Sequence, residues 1–195
     1  MASYTRPEWI FKTNPENLSS ILIAINEGTL ALPYFQRDWV WSPENIKELL
    51  ISIIQAFPVG SLLMLQHTKG TFKTKYFAGT QIPDQKEPER LVLDGQQRLT
   101  SLYQTLYSKH GVKKENEKVP SFFYLSLKRL MEEYPVEEAI IYTDDSKIYK
   151  EDRQVIYDLK NREAEFENLC LPFNIIMLDD YRKWLRDLRR YYTKQ

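Results

Sequence analysis

Cysteine is nearly absent: Cys170 stands alone among 195 residues, which excludes an intramolecular disulfide and a cysteine-built metal site and fits a reducing compartment. Histidine is almost as scarce. His67 and His110 have no paired His or Cys ligands near them, so a metal-dependent nuclease centre has nothing to build on. His67 reads as a strand-end surface residue and His110, beside Gly111, as the end of a helix. No run approaches the roughly 18 apolar residues of a membrane span, and Met1-Ala2-Ser3-Tyr4-Thr5-Arg6 has no apolar segment behind its charge. The cytoplasm is therefore the expected location, with no membrane partner. Surplus charge is also missing, since 27 Lys and Arg balance 27 Asp and Glu, so nothing global draws the chain to nucleic acid. Any anion site has to be local.

Apolar and aromatic residues are plentiful, at 43% hydrophobic with 13 Tyr, 9 Phe and 4 Trp, enough for one domain with a real core over residues 1–195. Asn14-Pro15 reads as the start of a helix with Leu18, Ile21, Leu22 and Ile25 on one face and Gly28 to stop it. Thr29 to Leu32 is a short strand ended by Pro33, and an aromatic and polar loop, Tyr34 to Trp41, follows. Ser42-Pro43 opens the strongest helix, whose Ile46, Leu49, Leu50, Ile53, Ile54 and Phe57 form one stripe ending at Pro58. Ser61 to Gln66, Thr71 to Ala78 and Arg90 to Leu93 read as strands. Gln96 to His110 reads as a helix with Leu99, Leu102, Tyr103 and Leu106 on one face and Gly111 after its end. Beyond the polar loop from Lys113 to Lys118, strands are expected at Ser121 to Leu127 and Ala139 to Thr143, a charged helix over Glu151 to Leu169, and a strand over Leu171 to Leu178. A last helix over Asp179 to Tyr192 has Tyr181, Trp184, Leu185 and Leu188 in register. The fold class is α/β of the α+β kind: a small mixed sheet flanked by helices over a core of about residues 14–127, with further strands and charged helices over 128–195.

The chemistry concentrates in Leu91-Val92-Leu93-Asp94-Gly95-Gln96-Gln97-Arg98, where a buried strand runs into a helix. The first turn of such a helix leaves N–H groups unpaired and positively polarised, so it attracts anions. Gly95 lets the chain turn sharply, and Arg98 adds a planar fork able to hold phosphate oxygens. Asp94, a carboxylate beside phosphate, suits a Mg²⁺ ligand. Gln96 and Gln97 can donate and accept at once, as gripping a phosphate or orienting a water requires. The plainer alternative, that Asp94 caps the helix and the polar residues are solvated, has equal standing on composition. Gln36-Arg37 forms a second polar cluster; Arg37, between Phe35 and Trp39, could lie beside a ligand or simply over aromatic surface.

Three segments carry a resemblance: Leu32-Pro33-Tyr34-Phe35-Gln36-Arg37-Asp38-Trp39-Val40-Trp41, Phe57-Pro58-Val59-Gly60, and Val92-Leu93-Asp94-Gly95-Gln96-Gln97-Arg98-Leu99-Thr100-Ser101-Leu102. Together, over roughly Leu18 to Tyr107, they resemble the N-terminal domain of GmrSD-type, modification-dependent restriction proteins, to which the Asp-Gly-Gln-Gln-Arg string is highly specific. More distantly the stretch resembles the ParB and sulfiredoxin superfamily. Gln36-Arg37 stands at their Gln-Pro-Arg box, without its Pro, and Ser52-Ile53 at their Ser-Ile. Gly95-x-x-Arg98-x-x-Ser101 follows their phosphate-binding pattern.

The resemblance implies a domain that binds a nucleoside triphosphate (NTP) with Mg²⁺, hydrolyses it, and controls cleavage of phage or otherwise modified DNA. Asp94, Gln96, Gln97 and Arg98 carry over as the catalytic set, Asp94 as metal ligand, and Gln36, Arg37, Gly95 and Ser101 as cofactor-binding residues. Cleavage in the family belongs to a separate nuclease domain or subunit, absent from this chain. The chain is thus expected to be a fragment or truncated member and no nuclease by itself. A different class of function is a DNA-binding module that reads modified DNA without nucleotide turnover. It would draw on Arg182, Lys183, Arg186, Arg189, Arg190 and Lys194, interleaved with Trp184 and Tyr191. Tyr181 to Gln195 holds 6 basic residues and 1 acidic, against 7 and 12 between Lys128 and Glu167. A solvated basic helix is the plainer account of that end. A third possibility is a structural remnant that holds a partner and hydrolyses nothing.

Overall fold

A computed structural model describes residues 15–66, 70, 72–82, 86–113, 117–144, 147–149 and 155–193. In chain order the elements are α1 (Leu18–Glu27), β1 (Leu30–Pro33), α2 (Pro43–Ile54), β2 (Leu63–Gln66), β3 (Thr74–Lys75), β4 (Arg90–Asp94) and α3 (Gln96–Leu106). There follow β5 (Ser121–Ser126), α4 (Leu127–Met131), α5 (Val136–Ala139), β6 (Ile140–Asp144), β7 (Lys147–Tyr149), β8 (Val155–Asp158), α6 (Arg162–Glu167), β9 (Cys170–Pro172), a 3-10 turn over Phe173–Ile175, and α7 (Asp180–Thr193).

Local chemistry sets the ends of the early helices. Ser42 and Asn45 exchange side-chain and main-chain bonds in a capping box, and Pro43 supplies a preset first residue for α2. Ile46, Leu49 and Leu50 face the core. The helix stops at Ile54, before the expected Pro58, because Ala56 turns left-handed at φ 57°, and this leaves Phe57 60% exposed and off the stripe. α1 begins after Asn17; the expected start, Asn14, lies outside the described residues. Gly28, at φ 76°, ends it as anticipated and donates its N–H to the Ile25 carbonyl.

Two small sheets organise the rest. The first runs β2-β4-β1-β3, with β1 and β4 parallel and the outer pairs antiparallel. The second, β8-β7-β6-β5-β9, pairs antiparallel throughout. One cluster of buried side chains joins both: Leu30, Leu32 and Val92 of the first sheet and Leu99, Leu102 and Leu106 of α3 meet Phe123, Ile140 and Phe173. A second cluster gathers Phe166, Leu171 and Ile175 around Trp184 of α7. The architecture is α+β.

Several expected boundaries move. The strand over Ser61 to Gln66 shortens to Leu63–Gln66 and that over Thr71 to Ala78 to Thr74–Lys75. α3 ends at Leu106, so neither His110 nor Gly111 terminates it. Gly111 instead enters the bridge between Val112 and Ser121, where a Cβ would sit 2.9 Å from the Phe122 ring. Of the helix expected over Glu151 to Leu169, the described residues from 155 on form strand β8, in which Val155, Tyr157 and Asp158 pair with β7, and among them only Arg162–Glu167 is helical. Leu171 to Leu178 is not one strand: β9 ends at Pro172, which has no N–H for the ladder, and a 3-10 turn follows. On α7 Trp184 is fully buried, whereas Leu185, expected beside it, is 40% exposed. Cys170 is fully buried, and burial pushes its thiol up to about 11, so it is no nucleophile at neutral pH. Among the described residues no helix is long and apolar enough to cross a membrane.

Candidate functional site

The turn between β4 and α3 needs a glycine. Gly95 has φ 97°, in the left-handed region, and a Cβ there would meet Leu62 Cδ2 at 2.4 Å. Gly95 is the N-cap of α3 and no side chain caps that end, so the first-turn amides keep their capacity to bind an acceptor.

Gln96 and Gln97 are buried, at 6% and 8% exposure, and their amides explain why. Gln97 Nε2 donates to the Asp38 carbonyl at 3.0 Å, and its Oε1 accepts from Val40 N–H at 3.0 Å. Gln96 Nε2 donates to the Arg37 carbonyl at 2.8 Å. From the other side, Gln36 Nε2 donates to the Leu93 carbonyl at 2.7 Å, and Trp39 Nε1 donates to Ser101 Oγ at 3.0 Å. Each bond joins groups 57 to 62 residues apart. The aromatic loop is therefore fastened to the start of α3, and between them lies a cavity of about 240 Å³. Gln36, Arg37, Trp41, Asp94, Gly95, Gln96, Gln97 and Arg98 line it.

Seven of the eight expected site residues thus meet on one cavity. The eighth, Ser101, does not line it: Ser101 is fully buried, donating to the Gln97 carbonyl at 2.8 Å while accepting from Trp39. Its hydroxyl holds the loop and cannot reach a ligand. The expected division of labour between the arginines also changes. Arg98 Nη1 donates to the Val59 carbonyl and Nη2 to the Ser61 carbonyl at 2.8 Å, with Asp94 Oδ2 at 3.5 Å. Gly60 makes room for this, since a Cβ there would lie 2.6 Å from Nη1. The fork is largely committed to main-chain carbonyls, so it is not a free bidentate grip for phosphate. Arg37 is exposed and pairs with no carboxylate among the described residues, which makes it the available cation.

This arrangement puts the Asp-Gly-Gln-Gln-Arg turn and the Gln-Arg loop on facing walls. The sequence matches the profile of the GmrSD restriction endonuclease N-terminal domain over residues 18–192. The chain belongs to this family. It is also 33% identical, over 141 residues, to an uncharacterized protein of Methanocaldococcus jannaschii, a match covering 69% of this chain and 24% of that protein. The chain therefore spans about a quarter of that relative's length.

Family membership makes a restriction-system module the setting for this cavity. Asp94 is the carboxylate on its wall, 72% exposed at the side chain, and among the described residues no three His, Cys, Asp or Glu cluster to hold a metal. A single exposed carboxylate could hold Mg²⁺ only together with oxygens from outside the protein, since it builds no protein cage by itself. His110 stands apart, its Nε2 3.1 Å from Gln81 Nε2, and His67 lies outside the described residues. Sequence reasoning missed Trp41 as a wall of the cavity and Gly60 as the gap through which Arg98 passes; the Phe-Pro-Val-Gly string was the available signal for Gly60.

Proposed function

We propose that this GmrSD N-terminal domain binds the phosphate chain of a nucleoside triphosphate in the cavity between the Gln36-Arg37 loop and the start of α3, and that occupancy regulates cleavage of modified DNA by a nuclease domain or subunit. The observation that carries the reading is a helix start with no side-chain cap on the same cavity as Arg37, which pairs with no carboxylate among the described residues. The backbone amides of Gln96, Gln97 and Arg98 would donate to the phosphate oxygens, Arg37 would neutralise their charge, and Asp94 would be the residue to hold an accompanying Mg²⁺. Bound Mg²⁺ would supply charge screening at the phosphates. Gln96, on the cavity wall with its Nε2 held by the Arg37 carbonyl, would orient a water for hydrolysis through Oε1. Gln97 and Ser101 act through the loop they fasten. Because the loop backbone hangs on these side-chain bonds, a ligand that draws Arg37 inward pulls on Gln96 and Gln97 as well, which gives occupancy a route to the rest of the fold.

Binding of a Mg²⁺–NTP to the purified chain tests this. Arg37→Ala should weaken it by on the order of 10- to 100-fold, since a hydrogen bond to a charged group contributes about 1.5–3 kcal/mol. Equal affinities for wild type and Arg37→Ala would sink the reading. Phosphate release with and without Mg²⁺ and DNA then reports whether bound nucleotide turns over.

A second observation favours direct contact with DNA. Arg182, Lys183, Arg186, Arg189 and Arg190 of α7 are all exposed, and the carboxylate paired with this face is Asp187, 3.9 Å from Arg186. At 1.5 Å rise per residue the row spans roughly 12 Å, room for about three phosphates, so log K should fall with log salt at a slope of about −3. Binding unchanged by a combined Arg182→Glu, Arg186→Glu and Arg189→Glu variant would remove this surface from the account.

A further inference from the structure

A second cavity, of about 300 Å³, shares two walls with the first: Trp41 and Arg98 line both. Its other walls come from α2 and the turn after it: Asn45, Glu48, Leu49, Ser52, Pro58 and Val59. The first cavity alone is smaller than the roughly 300–1,000 Å³ typical of small-molecule sites, while the two together fall within that range. The chemistry of the walls differs in the way the two ends of a nucleotide differ. Apart from the shared Trp41 and Arg98, the first is lined by Arg37, Asp94, the Gln side chains and a helix start, and the second by Leu49, Pro58, Val59, the neutral polar Asn45 and Ser52, and the Glu48 carboxylate.

We propose that this second cavity is the nucleoside subsite, with the base lying against the half-buried Trp41 indole over Leu49, Pro58 and Val59, and with Glu48 accepting hydrogen bonds from the sugar hydroxyls. The inference rests on the phosphate reading of the first cavity. Trp41 and Arg98 form the partition over which the ligand crosses from one chamber to the other. Glu48 sits on the exposed face of α2 with no ion pair among the described residues, and a carboxylate there disfavours anions while suiting a diol. Asn45 Oδ1 is held in the Ser42 capping box, so the wall that carries Glu48 is anchored at its N-terminal end.

The test compares Mg²⁺–NTP with Mg²⁺–tripolyphosphate on the full chain. Wild type should bind the nucleotide on the order of tenfold tighter, the usual scale of one base–aromatic stack. Trp41→Leu, which keeps an apolar side chain against the core, should bring that ratio towards one. Glu48→Ala, on an exposed helix face, should lower nucleotide affinity while tripolyphosphate binds as tightly as before or tighter, because a negative charge has gone. A ratio near one in wild type, or a ratio that neither variant moves, would overturn the subsite while leaving the phosphate cavity standing. Failure of both ligands to bind wild type would instead overturn the phosphate reading, and the subsite with it.

Discussion

Helices α3 and α7 are the two most informative elements, and they are buried to opposite extents. α3 is buried along nearly its whole length although it carries Gln96, Gln97, Thr100, Ser101, Gln104 and Thr105 among its buried residues. Most of those side chains bond to main-chain groups: Gln104 alone reaches Ala78 carbonyl and Lys113 N–H, at 3.0 and 2.8 Å. α7 buries a single residue completely, Trp184, and leaves its arginines in water. A polar helix in a core positions other segments, because each buried amide is satisfied only if its partner stays in place. α7 instead hangs on one fully buried ring, with side-chain hydrogen bonds from Trp184, Tyr191 and Tyr192 to α6, and its outer face is left in water.

The sharpest way to break that contrast is Trp184→Ala. The ring packs edge-on against Phe166 at 5.3 Å between centroids, and truncating a fully buried Trp costs about 3–5 kcal/mol. Chemical denaturation should show a loss of that order, with α7 released before the cluster around α3. A loss under about 1 kcal/mol would mean that the flanking Tyr181, Leu188 and Tyr191 contacts hold the helix and that the single-anchor description is wrong.

Next in size is Gln97→Leu. The substitution keeps the volume and removes both amide bonds, leaving Val40 N–H and the Asp38 carbonyl without their partner, at a cost of about 1–3 kcal/mol. Hydrogen exchange at Val40 should accelerate by more than the change in global stability explains. An unchanged exchange rate would show that the Gln36, Trp39 and Gln96 bonds hold the loop without Gln97.

What could be read in advance follows the range of the interaction. The Gly95 turn, the helix start at Ser42-Pro43 and the stop at Gly28 depend chiefly on neighbours within four residues, and all three are legible in the sequence; the Asn45 half of the capping box is not among those readings. The company Gln97 and Ser101 keep depends on residues about 60 positions away, so a chain read locally shows polar residues free to bind ligand where the fold has already engaged them. Arg98 is the same case: its carbonyl partners exist only once the turn at Val59 to Ser61 has formed. The charged segment from Glu151 misled for another reason. Its composition favours a helix, but Val155, Ile156 and Tyr157 are strand-forming residues lying next to an available edge, β7, and pairing outweighs propensity there.

The smallest expected effect comes from Glu165, which accepts from Trp184 Nε1 at 2.7 Å and has Arg162 Nε at 3.6 Å. Burial raises its pKa above the ordinary glutamate value and outweighs the indole hydrogen bond and the Arg162 charge, both of which lower it. The folded state therefore binds this proton more tightly than the unfolded state. Its contribution is complete below the unfolded pKa and is lost as pH rises through the folded one. Glu165→Gln keeps an oxygen for the indole and cannot ionise, so the stability of wild type relative to the variant should decline as pH rises from just above the ordinary glutamate range. Denaturation midpoints of the two proteins, measured in parallel across that window, give the difference directly. A difference that is flat, or that grows with pH, would show that the indole hydrogen bond and the Arg162 charge, and not burial, govern this carboxylate.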